Sequence, residues 1–498
     1  MRKILTRAAV KRIDAATVES GTASIDLMEN AARAFVDAFL RLYRGDKILV
    51  LCGPGNNGGD GLAVARLLAD KSLDVDVYCL KSDRYSEGFE INLSRLRERN
   101  TELRFIRDAS ELRSSGHANV IVDALYGTGL NKPLAEPAAG VVRWMNAQPA
   151  VRISIDVPSG MTEQPPAISE TMVNADHVVA FQIYRAELLL PRDAYSPLSI
   201  SVVDIGLDED AVSREATTHF LIEASDVKKM LRERRLFDHK WTYGHALLVA
   251  GSRKALGAAL LATGACLRSG CGLVTVHTVR SGATALNALH PEAMFSPDAH
   301  DEMITGVNVK TKFTAVGIGC GVGRATETST ALVDVLAKSK VPCVIDADAL
   351  NLLSEQHGWK ALVPKGSVLT PHQKEFDRLA GDQPNDYERM QRQIALAVEM
   401  NCVVVVKGAY TRVALPNGLC CFNSTGTPAL ATAGTGDVLT GLITGLVARG
   451  YTSEDAAVIG VYTHGLAGQL AEEKFGIECV KASDVIDALP LAFKQLAS

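Results

Sequence analysis

The chain has 498 residues, room for about three ordinary domains or two large ones. Its 52 Lys and Arg against 57 Asp and Glu leave a net charge of −5. That argues against nucleic acid or an anionic membrane as the main partner, since either requires a concentrated positive field. With 22% charged and 47% hydrophobic residues the composition is globular, and a chain this long buries an ample core without disulfides or a structural metal. Ten cysteines are scattered with no CxxC pair and no Cys/His set at zinc spacing, so they read as small buried hydrophobes in a reducing compartment. Met1–Ala9 is basic but not apolar, and no apolar run approaches the ~20 residues of a membrane helix. A soluble, cytoplasmic protein without a membrane partner is expected; a homo-oligomer is left open.

Along the chain, Ile25, Met28, Ala32, Phe35, Phe39 and Leu42 fall at helical spacing and predict a helix over Ser24–Tyr43. Lys47–Cys52 (KILVLC) reads as a short buried strand, and a helix is expected after it, starting near Asp60 and running over Gly61–Ala69. Strands are expected at Val75–Leu80, Leu103–Ile106, Val120–Leu125 and Val151–Val157, separated by helical stretches. Such alternation implies a mainly parallel sheet covered on both faces, with ligands outside the carboxyl ends of its strands. The polar stretch Leu207–Ser225 has no sustained periodicity and reads as a junction, giving domains over 1–224 and 225–498. The charged run Arg232–Lys240 reads as solvated surface.

The α/β pattern then restarts. Strands are expected at Ala246–Ala250, Gly272–Thr278, Thr314–Ile318, Val341–Asp346, Ser367–Thr370 and Cys402–Val406, with a helix over Ala255–Arg268. Thr411–Leu415 and Leu419–Phe422 read as a hairpin closed by Pro416-Asn417-Gly418. Helices over Asp437–Ala448, roughly Ser453–Lys474, and Ser483–Leu496 end the chain. No short repeat is visible.

Three strand ends of the first half carry chemistry. Gly53-Pro54-Gly55-Asn56-Asn57-Gly58-Gly59-Asp60-Gly61 follows the first strand, exposing backbone N–H groups beside a helix N-terminus, a combination that suits a phosphate. Two adjacent amide side chains exceed what a turn requires. Val122-Asp123-Ala124-Leu125-Tyr126-Gly127-Thr128-Gly129-Leu130 and Ile155-Asp156-Val157-Pro158-Ser159-Gly160 repeat the arrangement. Asn57, Asp123, Asp156 and Ser159 thus share one sheet edge, an oxygen set that favours a hard cation, while one carboxylate could serve instead as a general base.

NNGGDG, VDALYGTG and IDVPSG resemble the signature loops of the NAD(P)H-hydrate epimerase family over roughly residues 1–215. The resemblance implies a Rossmann-like three-layer α/β/α domain that interconverts the R and S epimers of hydrated NADH and NADPH (NADHX and NADPHX) at C6 of the nicotinamide ring. It implies a bound potassium ion (K+) at Asn57, Asp123 and Ser159. It also implies substrate contacts at Asn56, Asn57, Gly58, Gly59 and Asp60, at Gly127, Thr128, Gly129, Leu130, Asn131, Lys132 and Pro133, and at Asp156. Asp156 is the expected acid/base, since losing and regaining water or opening the ring moves a proton.

In the second half, Thr432-Ala433-Gly434-Thr435-Gly436-Asp437 opens an apolar helix. Gly-Thr-Gly at a helix start aims a row of N–H groups at one point, an anion hole for a phosphoryl group in flight. Asp437 beside it can take a proton from an attacking hydroxyl. Lys407 ends the VVVV strand beside Gly408 and can contact phosphate. His372, at a strand end opening a helix, could bond a substrate or act as a plain cap. Gly319-Cys320-Gly321 is a further, weaker glycine loop.

Together YGHALLVAGS, GAALLATGACLRSGCGLVTV, GIGCGVG, VIDADALN, LTPHQKEF, KGAYT and ATAGTGDVLTG, in this order over roughly residues 225–498, resemble the NAD(P)H-hydrate dehydratase family of the ribokinase-like superfamily. The resemblance implies a ribokinase-like α/β/α domain that phosphorylates the C6 hydroxyl of the S epimer and then eliminates phosphate. It implies Asp437 as base, Gly434, Thr435 and Gly436 as anion hole, and Lys407, Gly408, Ala409, Tyr410, Thr411 and Gly436 as nucleotide contacts. Ala258, Gly321 and His372, with Asp437, would touch the hydrated cofactor, and Mg2+ would bridge the phosphates. The two-domain arrangement predicts ADP as donor. Two departures stand out: Cys320 replaces the family's usual proline, which loosens the turn, and STGTPALATA replaces a more regular segment before the GTGD motif. The alternatives are a vitamin-precursor kinase with a regulatory first domain, distinguished by a stable phosphorylated product, and a non-catalytic first domain, against which Asn57, Asp123 and Asp156 speak.

Overall fold

The computed structural model describes residues 1–498 except 44, 46, 100, 115–117, 131, 165–170, 193–196, 308–311 and 498. The chain divides into two compact units. One comprises Lys3–Thr217 with Asn385–Tyr387, the other Met1–Arg2, Thr218–Pro384 and Glu388–Ser498.

The first unit is built on a seven-stranded sheet in the order Glu102–Ile106, Asp74–Leu80, Lys47–Cys52, Val120–Ala124, Val151–Ile155, His177–Phe181, Ser199–Val203. Every pairing is parallel. Side chains alternate across a strand, so Ile48, Val50 and Cys52 enter one apolar layer with Phe35, Phe39, Leu62 and Phe89. Leu49 and Leu51 enter the other, with Ile121, Val141, Met145 and Val178. This two-sided burial is why KILVLC is continuously apolar. The last two strands and the N-terminal helix Arg7–Glu19 are absent from the sequence-based reading.

The helix after the first strand spans Asn56–Ala69, four residues earlier at its start than the expected Asp60, with Gly55 as N-cap. The glycines are therefore helical, and close approach explains them. A Cβ on Gly58 would lie 1.7 Å from the Gly53 oxygen, and one on Gly61 would lie 2.4 Å from Ala124 Cβ. Only hydrogen at those positions lets the first turn sit against the strand ends.

Ten strands of an eleven-stranded sheet lie wholly in the second unit. Its parallel core runs Met294–Pro297, Leu273–Thr278, His245–Val249, Ala315–Ile318, Cys343–Ile345, Val368–Leu369, Val403–Val406. The expected hairpin follows as antiparallel Arg412–Ala414 and Cys420–Asn423. His219–Ile222 then pairs in parallel with Cys420–Asn423, so the expected boundary at 224/225 moves to 217/218. The stretch read as a bare junction in fact holds the helix Glu209–Arg214 and this strand.

The helix Thr435–Ala448 is buried almost throughout. Its glycines let it press on the helix Leu256–Arg268: a Cβ on Gly441 would lie 2.0 Å from the Ala262 oxygen, and one on Gly445 2.0 Å from Ser269 Oγ. All ten cysteines are free, eight of them buried. Among the described residues, no helix is long and apolar enough to cross a membrane.

Candidate active sites

In the first unit the three strand-end loops meet. Asn56, Asn57, Gly58, Gly59 and Asp60 form the first turn of their helix. A Cβ on Gly127 would lie 3.0 Å from Asn57 Oδ1, so the second loop passes directly over the Asn57 amide. The Asn57 side chain is buried, and its Nδ2 has no partner among the described residues. Asp123 is fully buried. Its Oδ2 accepts from Ser154 Oγ (2.8 Å) and Ser159 N (2.8 Å), and its Oδ1 from Ser159 Oγ (2.5 Å) and Leu125 N (3.3 Å). Burial pushes this carboxyl up, against the pull of those donors. Ser159 Oγ in turn accepts from Tyr126 N at 2.8 Å, tying the third loop to the second.

Asp156 stands at φ 68, a left-handed backbone that a non-glycine residue holds only when its surroundings enforce it. It is held by Arg185, whose Nη2 donates to Asp156 Oδ1 at 2.5 Å and to Asp156 O at 2.9 Å from full burial, and by its own N–H, which donates to Val179 O at 2.8 Å. Two further carboxyls share this field. Burial and the Asp156 charge push Asp14 up to about 6, and burial pushes Asp60 well above its ordinary value. Arg7 braces the loops: its Nε pairs with Glu187 (2.9 Å), while Nη1 donates to Leu130 O (2.8 Å) and Nη2 to Met161 O (2.8 Å). Lys132 and Pro133 are exposed, and Asn131 lies outside the described residues.

In the second unit Gly434 caps the helix Thr435–Ala448 at φ 92. A Cβ there would lie 2.4 Å from Leu261 Cδ1, so position and conformation both require glycine. The turn is pinned from two sides. Thr435 Oγ1 donates to Leu430 O (2.9 Å) and Thr432 O (3.0 Å). His464 Nε2 lies 2.9 Å from Thr435 O, and burial pushes this imidazole down to about 4, so it is neutral at physiological pH and donates its one N–H to the carbonyl.

Burial pushes Asp437 from the ordinary 3.8 up to about 6; the Asp346 and Asp348 charges add to this, and the Cys320 thiol and Lys407 oppose it. Lys407 Nζ meets Asp346 Oδ1 at 2.6 Å, and Thr440 Oγ1 donates to Asp346 Oδ2 at 2.7 Å. Burial lowers Lys407, but the Asp346 and Glu375 carboxylates more than offset this and hold it above its ordinary value. A Cβ on Gly436 would lie 3.5 Å from Lys407 Nζ, so the lysine sits under the glycine loop. Gly408 and Thr411 close the following turn, Thr411 Oγ1 donating to Gly408 O at 2.8 Å, with Ala409 exposed and Tyr410 at φ 50 between them.

Gly321 (φ 64) and Ala258 are brought together: a Cβ on the glycine would lie 2.8 Å from Ala258 Cβ. His372 is the N-cap of Gln373–Ala380, its Nδ1 accepting from Lys374 N (3.1 Å) and Glu375 N (3.3 Å). One ring nitrogen is thereby committed, and Nε2 of the half-exposed side chain lies 3.4 Å from Glu375 Oε1. Its backbone bridges that of Lys407. The Gly319-Cys320-Gly321 turn is firm rather than loose: Cys320 is buried, and its carbonyl accepts from Gly251 N at 2.8 Å. The segment before the GTGD motif folds as one short turn, Pro428–Leu430, capped by Thr427.

Sequence comparison agrees with both halves. Residues 24–186 match the YjeF-related protein N-terminus family and residues 246–491 the NAD(P)H-hydrate dehydratase family. The bifunctional NAD(P)H-hydrate repair enzyme of Moorella thermoacetica is 32% identical over 99% of this chain and 97% of its own length. That of Thermofilum pendens is 31% identical with the same coverage. The chain belongs to the family of bifunctional NAD(P)H-hydrate repair enzymes. Among solved structures, the ADP/ATP-dependent NAD(P)H-hydrate dehydratase of Bacillus subtilis, crystallised with ATP and Mg2+, is 32% identical (TM-score 0.51), covering 56% of this chain and all of its own. A ribokinase-like superfamily protein of Enterococcus faecalis is 25% identical (TM-score 0.50), covering 57% of this chain and 98% of its own. Within this repair-enzyme architecture, sequence reasoning missed Arg7, Asp14, Arg185, Asp346 and His464. Asp346, an acid at a strand end inside VIDADALN, carried the same signal as Asp123. The others carried none beyond their residue type.

Proposed function

We propose that the first unit epimerises R and S NADHX and NADPHX at C6, and that the second dehydrates the S epimer with ADP, releasing AMP and phosphate and restoring NAD(P)H. Family membership along the whole chain supports the pairing. The observation that carries the dehydratase assignment is Asp437. It sits on the first turn of a helix, beside Lys407 and three glycine-loop positions, with a carboxyl pushed up to about 6. It is therefore mostly ionised near neutrality yet a far stronger base than an exposed carboxylate, which suits removal of the C6 hydroxyl proton. The oxygen then attacks the terminal phosphorus while the bond to AMP breaks. Hydroxide leaves poorly and phosphate well, so phosphate departs with the C6–O electrons as a proton leaves the adjacent ring carbon. The backbone N–H groups of Gly434, Thr435 and Gly436 receive the transferring group. Lys407, Gly408, Ala409, Tyr410 and Thr411 hold the nucleotide, and Ala258, Gly321 and His372 the nicotinamide side. Magnesium, when bound, neutralises phosphate charge.

In the first unit Asp156 is the acid/base, oriented by Arg185. The set Asn57, Asp123 and Ser159 fits a potassium ion. Asp123 is a buried carboxylate met, among the described residues, by neutral donors only. A monovalent cation supplies the missing charge. A cytoplasmic location and purely small-molecule partners accompany this reading.

The test mixes both epimers with ADP or ATP and follows return of dihydronicotinamide absorbance. Wild type is expected to clear both epimers. Asp437→Asn should clear neither, and Asp156→Asn should clear S while R decays only at its spontaneous rate. No nucleotide-dependent recovery by wild type would overturn the reading, and a stable phosphorylated product would favour a kinase.

A further inference from the structure

Asp346 follows the strand Cys343–Ile345 and occupies the N-cap of the helix Ala347–Ser354, yet its side chain makes no capping bond. An Asp at that position ordinarily accepts from its own helix. Here both carboxylate oxygens are turned away, one to Lys407 Nζ (2.6 Å) and one to Thr440 Oγ1 (2.7 Å). The backbone is shaped for this. Ala347 is held at φ 52, and Gly319 admits the Asp346 carbonyl to within 1.9 Å of where a Cβ would stand. Asp346 Oδ2 lies 3.8 Å from a Cβ placed on Gly436. A helix has given up its cap so that a buried carboxylate can sit beneath the glycine loop.

We propose that Asp346 is a positioning residue for dehydration, fixing Lys407 against the first turn of the Thr435–Ala448 helix and setting the charge that the Asp437 carboxylate feels. The inference rests on the reading of Asp437 as base. Asp437 faces Cys320, Asp346, Asp348 and Lys407; Lys407 faces Asp346, Glu375, Cys320 and His464. Of these, Asp346 is the one joined by short contacts to both the strand that carries Lys407 and the helix that carries Asp437.

The test compares wild type with Asp346→Asn, Asp346→Glu, Thr440→Val and Asp437→Asn as full chains, using the S epimer and ADP. Asp346→Asn is expected to lower kcat on the order of ten- to a hundredfold through misplacement of Lys407. The acid limb of kcat should move to lower pH. Asp346→Glu keeps the charge and should keep the limb, as should Thr440→Val, with a smaller fall in kcat. An Asp346→Asn enzyme with normal kcat overturns the proposal, as does one slowed with its acid limb in place. If Asp346→Asn does not fold, a Thr440→Val enzyme with wild-type kcat overturns it. An active Asp437→Asn enzyme removes the underlying reading and the proposal together, whereas an inactive one beside an unimpaired Asp346→Asn removes the proposal alone.

Discussion

Asp437→Asn is expected to stabilise the second unit while abolishing dehydration. The wild-type carboxyl is raised from 3.8 to about 6, chiefly by burial, so ionising it costs more in the folded than in the unfolded chain. Roughly two pH units at about 1.4 kcal/mol each come to about 3 kcal/mol. The sign follows from linkage. Below pH 3.8 the group is protonated in both states and carries no penalty. As pH rises through 6 the folded chain must ionise a buried acid, and stability is lost. Asparagine keeps the shape and never ionises. The variant should therefore melt higher by on the order of 5 °C at pH 8, and the difference should shrink as pH falls from about 6 and vanish near 3.8. Differential scanning calorimetry of the full chain at pH 8, 6 and 4, following the second unit's transition, measures this. A variant that melts at or below wild type at pH 8, or a gap that does not change with pH, would refute the argument that burial, uncompensated, makes Asp437 basic.

In the first unit, Asp14 is raised to about 6 by burial and by Asp156. Epimerisation is expected to slow as pH falls through that value, and Asp14→Asn should erase the limb; rates of R-to-S conversion across pH measure it, and an unaltered limb would detach Asp14 from the reacting group. Arg185→Met leaves the buried Asp156 without its cation, a change that typically costs about 3–5 kcal/mol. The first unit's melting transition should fall accordingly and epimerisation cease, while S-epimer dehydration continues in the same preparation.

What the sequence made legible was local. A glycine run after an apolar strand, or an acid at a strand's end, is a pattern within ten residues, and those patterns pointed to most of the loops proposed for the two sites, while the acid at the end of Cys343–Ile345, Asp346, went unread. The helix start at Asn56 was misjudged because glycine usually disfavours helix, whereas here Gly58 and Gly61 are required by backbone and side chains that belong to other segments. His177–Phe181 and Ser199–Val203 are short, and their pairing partners decide them more than their composition does. The partners of Asp156 and Asp346 were hidden for the same reason. Arg185 lies 29 residues from Asp156, and Lys407 lies 61 from Asp346, and no periodicity links such positions.

The carboxylates of both sites differ chiefly in how burial is compensated, and that difference assigns their work. Asp123 is met by four neutral donors and fits a cation. Asp156 is gripped twice by a buried arginine, which orients it. Asp346 is held by an ammonium and a hydroxyl, so its lone pairs are engaged. Among the described residues the burial of Asp437 is opposed by the Cys320 thiol and by a lysine already held by Asp346, and burial prevails. Of two acids under one glycine loop, the less compensated one gains more from accepting a proton, which is why we propose Asp437 as the base and Asp346 as the residue that holds the lysine.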